Sequence, residues 1–327
     1  MKAFTSVSPR SLPDAVTALS RARQQGQHAI IVGGGSDALA LIKERLIAPD
    51  LVVRLTGIRQ LDGIARDSNG LTIGGETTLA AMARHDELRR AYGVLAQAAE
   101  SVATPQIRNA GTLAGNLAQR PWCWYYRNGF TCFKNGGNTC YSAAGENQFN
   151  AIFGGGPSFI VHPSDTAPAL VALDATFRIV GPKGERTVPA AQFFTLPTVN
   201  PARENALEDD EVLTSIHVPA AKAGMRSLYH KVMDREAWTH AIVSAAAVLR
   251  MDGNVCRDAR IVLGGVAPIP WRLTEVEKLL VGQTMNDALI DRAAAASTTG
   301  ARPLRNNAYK VPLVQAVVGR ALTDLRA

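Results

Sequence analysis

The chain has 327 residues, 46% hydrophobic and 19% charged, too long and too apolar for a disordered tail or a mini-protein, and long enough for about two domains with ordinary cores. Four cysteines over that length argue against a secreted disulfide framework. The 35 Lys and Arg against 28 Asp and Glu leave a net charge of +7, scattered along the sequence, which suits anionic ligands but forms no basic stripe of the kind nucleic acid requires.

In chain order, Ser11-Leu12-Pro13-Asp14 supplies a capped helix start with an early proline, followed by a periodic apolar face through Ala15 and Leu19. Residues 29–32 read as a buried strand closed by Gly33-Gly34-Gly35-Ser36-Asp37. Residues 38–46 have helical propensity, and 51–53 form another short strand, completing a β-loop-α-β unit. A strand at 71–73 and alanine-rich helices at 79–85 and 93–102 follow. Residues 103–157 lose periodicity and are rich in Gly, Asn, Thr, aromatics and Cys, the mark of a functional segment. Strands resume at 159–161, 176–180 and 212–218. The stretch 220–224 is the expected domain boundary, beyond which the apolar runs 241–250 and 259–263 and the helices 274–280 and 286–296 suggest a second α+β domain. No internal repeat is evident. Residues 3–21 are broken by Ser, Pro, Asp and Arg before an apolar core of a signal can form, and the longest apolar run, 241–249, is far short of the ~18 residues of a membrane span. No export signal and no membrane span are expected.

Three glycines after a buried strand let successive backbone N–H groups face a pyrophosphate, with Ser36 adding a hydroxyl and the following helix its positive end; the same residues also make a tight turn. Gly33-x-Gly35-x-x-Ala38 matches the relaxed dinucleotide fingerprint, so a nicotinamide-dependent Rossmann dehydrogenase is an alternative. Its ribose-binding acid is misplaced, however, since Asp50 precedes the second strand and Arg54-Leu55-Thr56 ends it. The run 103–117 combines glycines that admit a flat ligand with Asn109, Thr112 and Asn116 as hydrogen-bonding groups, a pattern that a helix-packing Gly-x-x-x-Gly also produces.

Cys123, Cys132 and Cys140, three of the four cysteines, form C-x8-C-x7-C inside the irregular segment among Trp122, Trp124, Tyr125 and Tyr126. Thiolates serve iron–sulfur clusters and structural zinc alike; the missing C-x2-C knuckle disfavours zinc, and buried thiols without a metal remain the third option. Cys256 stands alone beside Arg257-Asp258.

The segments Ile30-Ile31-Val32-Gly33-Gly34-Gly35-Ser36-Asp37, Gln106-Ile107-Arg108-Asn109-Ala110-Gly111-Thr112-Leu113-Ala114-Gly115-Asn116 and His162-Pro163-Ser164-Asp165 resemble, together with Leu213-Thr214-Ser215-Ile216 and Lys231, the FAD-binding medium subunits of the molybdenum hydroxylases. This is the family of xanthine dehydrogenase, aldehyde oxidoreductase and CO dehydrogenase. Leu263-Gly264-Gly265-Val266-Ala267-Pro268 and Asn307-Ala308-Tyr309-Lys310-Val311 resemble its C-terminal domain, so the match runs collinearly through nearly the whole chain.

The resemblance implies an α+β fold, with a two-part FAD-binding domain of the PCMH type at 1–222 (subdomains about 1–55 and 56–222) and a smaller α+β domain at 223–327. It implies that Ile30 to Asp37 cradle the FAD pyrophosphate, that Gly111, Thr112, Gly115 and Asn116 line the flavin and ribityl region, and that Val102 and Leu213 pack on the cofactor. Asp165 would accept hydrogen bonds from FAD hydroxyls, where the residues alone also allow a helix N-cap. Lys231 would place its charge by the isoalloxazine.

One branch of the family carries a [4Fe-4S] cluster in an insertion that corresponds to residues about 120–158. Its fourth cysteine corresponds to Ser158 here, so the expected cluster has an altered fourth ligand, three irons, or a degenerate site. The implied function is electron transfer from molybdenum and two [2Fe-2S] centres, on a large and a small partner subunit, through FAD to an external acceptor. A nucleotide-binding module without turnover is the other alternative. The expected compartment is the cytoplasm, or the periplasm by co-export with a signal-bearing partner.

Overall fold

The computed structural model describes residues 1–235 and 239–326. Its twelve described strands form three sheets. The first is parallel: β1 (Thr5–Val7), β2 (Ala29–Val32) and β3 (Leu51–Arg54) pair in the order β1-β3-β2. Helix Leu12–Gln24 makes the first crossover. The Ser11 hydroxyl accepts from the Asp14 N–H, and Ala15, Leu19 and Ala22 form its buried stripe. Helix Ala38–Lys43 makes the second crossover and is one turn shorter than its sequence suggests.

The second sheet is antiparallel. It contains β4 (Ile64–Asp67), β5 (Gly70–Gly74), β6 (Thr176–Gly181), β7 (Gly184–Pro189) and β8 (Val212–Pro219), in the order β4-β5-β8-β6-β7. The third, also antiparallel, has β9 (Met225–Val232), β10 (Val243–Asp252), β11 (Val255–Gly264) and β12 (Trp271–Arg272), ordered β12-β11-β10-β9. Helices Gly93–Glu100 and Thr166–Ala172 lie in the core between these sheets; Thr166–Ala172 is buried at every position, and Gly93–Glu100 at all but Gly93 and the polar Gln97 and Glu100. The outer face of the third sheet is covered by helices Thr274–Leu280, Asp287–Ala296 and Lys310–Arg326. With both faces covered, β10 is buried from Val243 to Leu249 and reads as an apolar run broken only by Ser244.

Three expectations need correcting. Residues 159–161 form no strand; the Phe159 N–H is directed to the Cys140 sulfur at 3.4 Å, and its carbonyl accepts from Ala151. The irregular segment 103–157 begins with two helices, Pro105–Ala110 and Leu113–Ala118, capped by the hydroxyls of Thr104 and Thr112. The C-terminal helix Lys310–Arg326 was not anticipated, nor were β1, β4, β7, β9 and β12. β7 alternates through polar, exposed positions at a sheet edge and carries no apolar signature. Among the described residues no helix is long and apolar enough to cross a membrane.

Candidate functional site

A cleft of about 320 Å³ opens where the first sheet meets the helices of residues 105–118. The glycine loop after β2 forms one wall. Among the described residues, no hydrogen bond uses the N–H groups of Gly34, Gly35 or Ser36, so three consecutive donors remain for a ligand. Gly35 has φ +76°, a left-handed conformation that glycine adopts without penalty. Gly34 is needed for a different reason: a Cβ there would overlap the Ala110 carbonyl, so the two loops touch backbone to backbone.

The facing wall is held from behind by a run of main-chain bonds. Leu79 N–H donates to Gly111, Leu113 to Thr77 and Ala114 to Gly75, which fixes Gly111, Thr112, Gly115 and Asn116 along the cleft. Asn116 is buried, and its Oδ1 accepts from Ser164 Oγ at 2.6 Å and Thr166 Oγ1 at 2.7 Å, leaving the amino end for a ligand. Val102 lines the same wall.

Asp165 lines the cleft but does not cap its helix through its side chain. Its Oδ1 accepts from Tyr229 Oη and its Oδ2 from Lys231 Nζ, each at 2.7 Å, and both carboxylate and ammonium are almost wholly buried. Burial and the Asp165 charge raise the Tyr229 pKa well above the usual phenol value, so the hydroxyl stays a donor. Each carboxylate oxygen keeps a further lone pair.

Several expected residues lie elsewhere. Lys231 is not on the cleft wall; its charge is balanced by Asp165, with a second bond to Ser101 O at 2.9 Å. Leu213 is in the core between sheets, paired with Ile179 on β6. Asn109 is exposed on its helix, and Ile30 packs with Ile42 and Val52 behind the loop. Asp37 borders the cleft, but its carboxylate accepts from Arg127 Nη2 at 2.7 Å and the Arg120 N–H at 3.0 Å. Trp122 and His240, not anticipated, stand at the cleft mouth with ring centroids 5.0 Å apart, and the Arg127 guanidinium lies 4.2 Å from the Trp122 ring centroid.

Arg127 belongs to the cysteine segment. Cys123 precedes helix Trp124–Arg127, and the N–H groups of Tyr125 and Tyr126 face its sulfur; burial nevertheless raises its pKa, and Cys132 and Cys140 add to the rise as neighbouring like charges. Cys132, Ser142 and Ser158 are buried, and Ser142 Oγ lies 3.1 Å from the Cys140 sulfur. Among the described residues no three His, Cys, Asp or Glu side chains are arranged to hold a single metal ion. The expected metal centre at Cys123, Cys132, Cys140 and Ser158 is therefore not shown. The segment is held at two points: Lys134 Nζ contacts Glu204 Oε1 at 3.0 Å, and Lys310 Nζ donates to the carbonyls of Phe149 and Asn150, and of Gly265 outside it.

Residues 2–221 match the family described as FAD binding domain in molybdopterin dehydrogenase, and residues 228–325 match the CO dehydrogenase flavoprotein C-terminal domain. The chain belongs to the FAD-binding subunits of the molybdenum hydroxylases. Within this family it is 34% identical over 334 residues to the aldehyde oxidoreductase FAD-binding subunit PaoB of Escherichia coli (strain K12), covering 100% of this chain and 99% of that one. It is 29% identical to the carbon monoxide dehydrogenase medium chain of Hydrogenophaga pseudoflava, covering 96% and 94%. The solved structure of reconstituted CO dehydrogenase from Oligotropha carboxidovorans superposes with a TM-score of 0.79 at 26% identity, covering 99% and 98%. The nicotinamide-dehydrogenase alternative fails: the parallel sheet stops at three strands, and the family is an FAD-binding one.

The cleft suits that cofactor. Its glycine loop offers unpaired N–H donors to a diphosphate, and Gly34 lets the two walls meet backbone to backbone where any side chain would hold them apart.

Proposed function

We propose that this chain is the electron-exit subunit of a molybdenum hydroxylase complex, taking electrons from a large molybdopterin-binding subunit by way of a small subunit with two [2Fe-2S] centres, and passing them to an external acceptor. The observation that carries this reading is the two-walled cleft, closed by the Gly34–Ala110 contact, in a chain that matches FAD-binding subunits along its whole length. FAD, when bound, supplies the exchange between single electrons and electron pairs. In this reading the N–H groups of Gly34, Gly35 and Ser36 hold the diphosphate. Thr112, Gly115 and Asn116 face the ribityl region, Asp165 accepts from cofactor hydroxyls with Lys231 balancing its charge from behind, and Trp122 and His240 shield the mouth. The domains divide within 220–224.

The cysteine segment is proposed to hold an iron–sulfur cluster through Cys123, Cys132 and Cys140. A cluster spreads its thiolates more widely than one ion does, and N–H groups already directed at Cys123 and Cys140 are the kind that tune cluster potentials. Ser158, next in sequence to the donor Phe159, stands at the fourth position. Iron and sulfide content with EPR of anaerobically purified complex tests this; protein without iron refutes it.

Aldehydes are the first substrate class to try, given the aldehyde oxidoreductase relative. Anaerobic addition of an oxidisable aldehyde should bleach the flavin band of the complex, its electrons reducing the flavin, and an acceptor should restore the band. In Gly34→Ala complex the substrate should still reduce the [2Fe-2S] centres, while turnover with the acceptor is lost. A complex that turns over normally without flavin would refute the role, and flavin that never bleaches would indicate a module without turnover.

A further inference from the structure

We propose that Glu76 is a positioning residue of the flavin site, a carboxyl group that must carry a proton for the glycine loop to hold a diphosphate. The inference rests on the diphosphate lying at that loop. Glu76 follows β5, and its backbone is pinned on every side: its own N–H donates to Leu61, Gly75 N–H to Thr214, and Leu113 N–H to Thr77. The side chain, 8% exposed, is directed at the back of Gly33. A Cβ on Gly33 would lie 2.7 and 3.1 Å from the two carboxyl oxygens and 2.6 Å from the Thr112 hydroxyl. Gly33 and Thr112 both line the cleft, so the carboxyl is separated from the ligand space by one glycine.

Nothing compensates a charge there. Oε2 is enclosed without a hydrogen-bond partner, and among the described residues no Lys, Arg or His bonds to the carboxyl. The loop in front contributes uncharged Gly33 and the wall beside it uncharged Thr112. The turn behind contributes Asp62, a like charge. Burial, with a smaller contribution from Asp62, pushes the Glu76 pKa up to about 7. A diphosphate beyond Gly33 adds a second like charge and favours the protonated acid further. The diphosphate diester of FAD is itself fully ionised near neutrality, so a proton taken up on binding goes to the protein. An unpartnered carboxylate at this place would oppose the anion, whereas the neutral acid or an amide does not.

The test is FAD affinity as a function of pH, read by flavin fluorescence on complex stripped of its flavin. For the wild type, Kd should rise roughly tenfold per pH unit above about pH 7.5, because only the protonated form binds well. Calorimetry in buffers of different ionisation enthalpy should show proton uptake on binding at pH 7.5 to 8. Glu76→Gln, which keeps the shape and cannot ionise, should bind FAD at pH 8.5 as the wild type does at pH 6.5, with no proton uptake. A profile that persists in Glu76→Gln would assign the titration to another cleft group, such as His240, and overturn the proposal. Absence of proton uptake in the wild type overturns it without any variant. If instead Gly34→Ala complex retains wild-type FAD affinity, the diphosphate is not at the glycine loop and the placement itself fails.

Discussion

Gly34 and Gly35 sit side by side and are required for different reasons, which single substitutions separate. Alanine at Gly35 meets a left-handed backbone, a strain of about 1 kcal/mol, and a Cβ there would press on the Leu39 side chain at 3.1 Å. Alanine at Gly34 meets the Ala110 carbonyl and must part the two cleft walls. We expect Gly34→Ala to weaken FAD binding at least a hundredfold, and Gly26→Ala, also left-handed but with open space around its Cβ, to leave FAD binding unchanged. Glu76 also gives a pH dependence of stability. Its folded-state pKa of about 7 lies above its unfolded value, so the folded chain binds the extra proton and loses stability as pH rises from about 4.5 to 7. Thermal melts of Glu76→Gln and wild type should therefore coincide near pH 4 and separate by up to about 3 kcal/mol in favour of the variant at pH 8. The Asp165–Lys231 pair is tested by removing one partner: Lys231→Met strands a buried carboxylate and should cost about 3–5 kcal/mol, and adding Asp165→Asn should recover most of that stability but not FAD affinity. The sequence made the glycine loop and the small residues at 111–116 readable, because close approach leaves only glycine or a short side chain as solutions. It did not show where Asp37 and Lys231 direct their charges, since their partners Arg127 and Asp165 lie 90 and 66 residues away. Nor did it single out Glu76, an ordinary acidic residue until burial and the back of Gly33 define it.

At the scale of elements, the cysteine segment forms part of the wall of the cleft proposed for the flavin. Trp122 lies in that wall, and Arg127, on the helix that Cys123 opens, joins Asp37 at the start of helix Ala38–Lys43. Arg127 also donates to the carbonyls of Pro121 and Arg120. Removing it leaves Asp37 with the Arg120 N–H but no cationic partner, and takes the guanidinium from the Trp122 ring. Arg127→Ala should lower FAD affinity about tenfold and expose residues 120–135 to limited proteolysis while the rest of the chain resists, whereas uniform cleavage would show that the segment is not an independent latch. The segment looked featureless in the sequence because its order comes from such long-range bonds and from short capped helices rather than from periodicity. The helix Pro105–Ala110 was the exception: Thr104-Pro105 is an N-cap followed by proline at the first helical position, a local signal that the glycine-rich composition obscured.

For the molecule as a whole, the division into a parallel unit, a first antiparallel sheet and a second one with three outer helices follows from where apolar runs are continuous and where they alternate. β10, mostly apolar from Val243 to Leu249, is central, with a sheet neighbour on each side and helices on each face. The missed strands are short, edge or half-exposed, and there local preference says little. The central claim concerns what occupies the cleft at the junction of the first two units. It is tested most directly by releasing the non-covalent cofactor from purified complex with acid and identifying it, for wild type and Gly34→Ala in parallel. The structure predicts one FAD per wild-type chain and almost none in the variant. Nicotinamide dinucleotide, no nucleotide in the wild type, or equal FAD in both would contradict it.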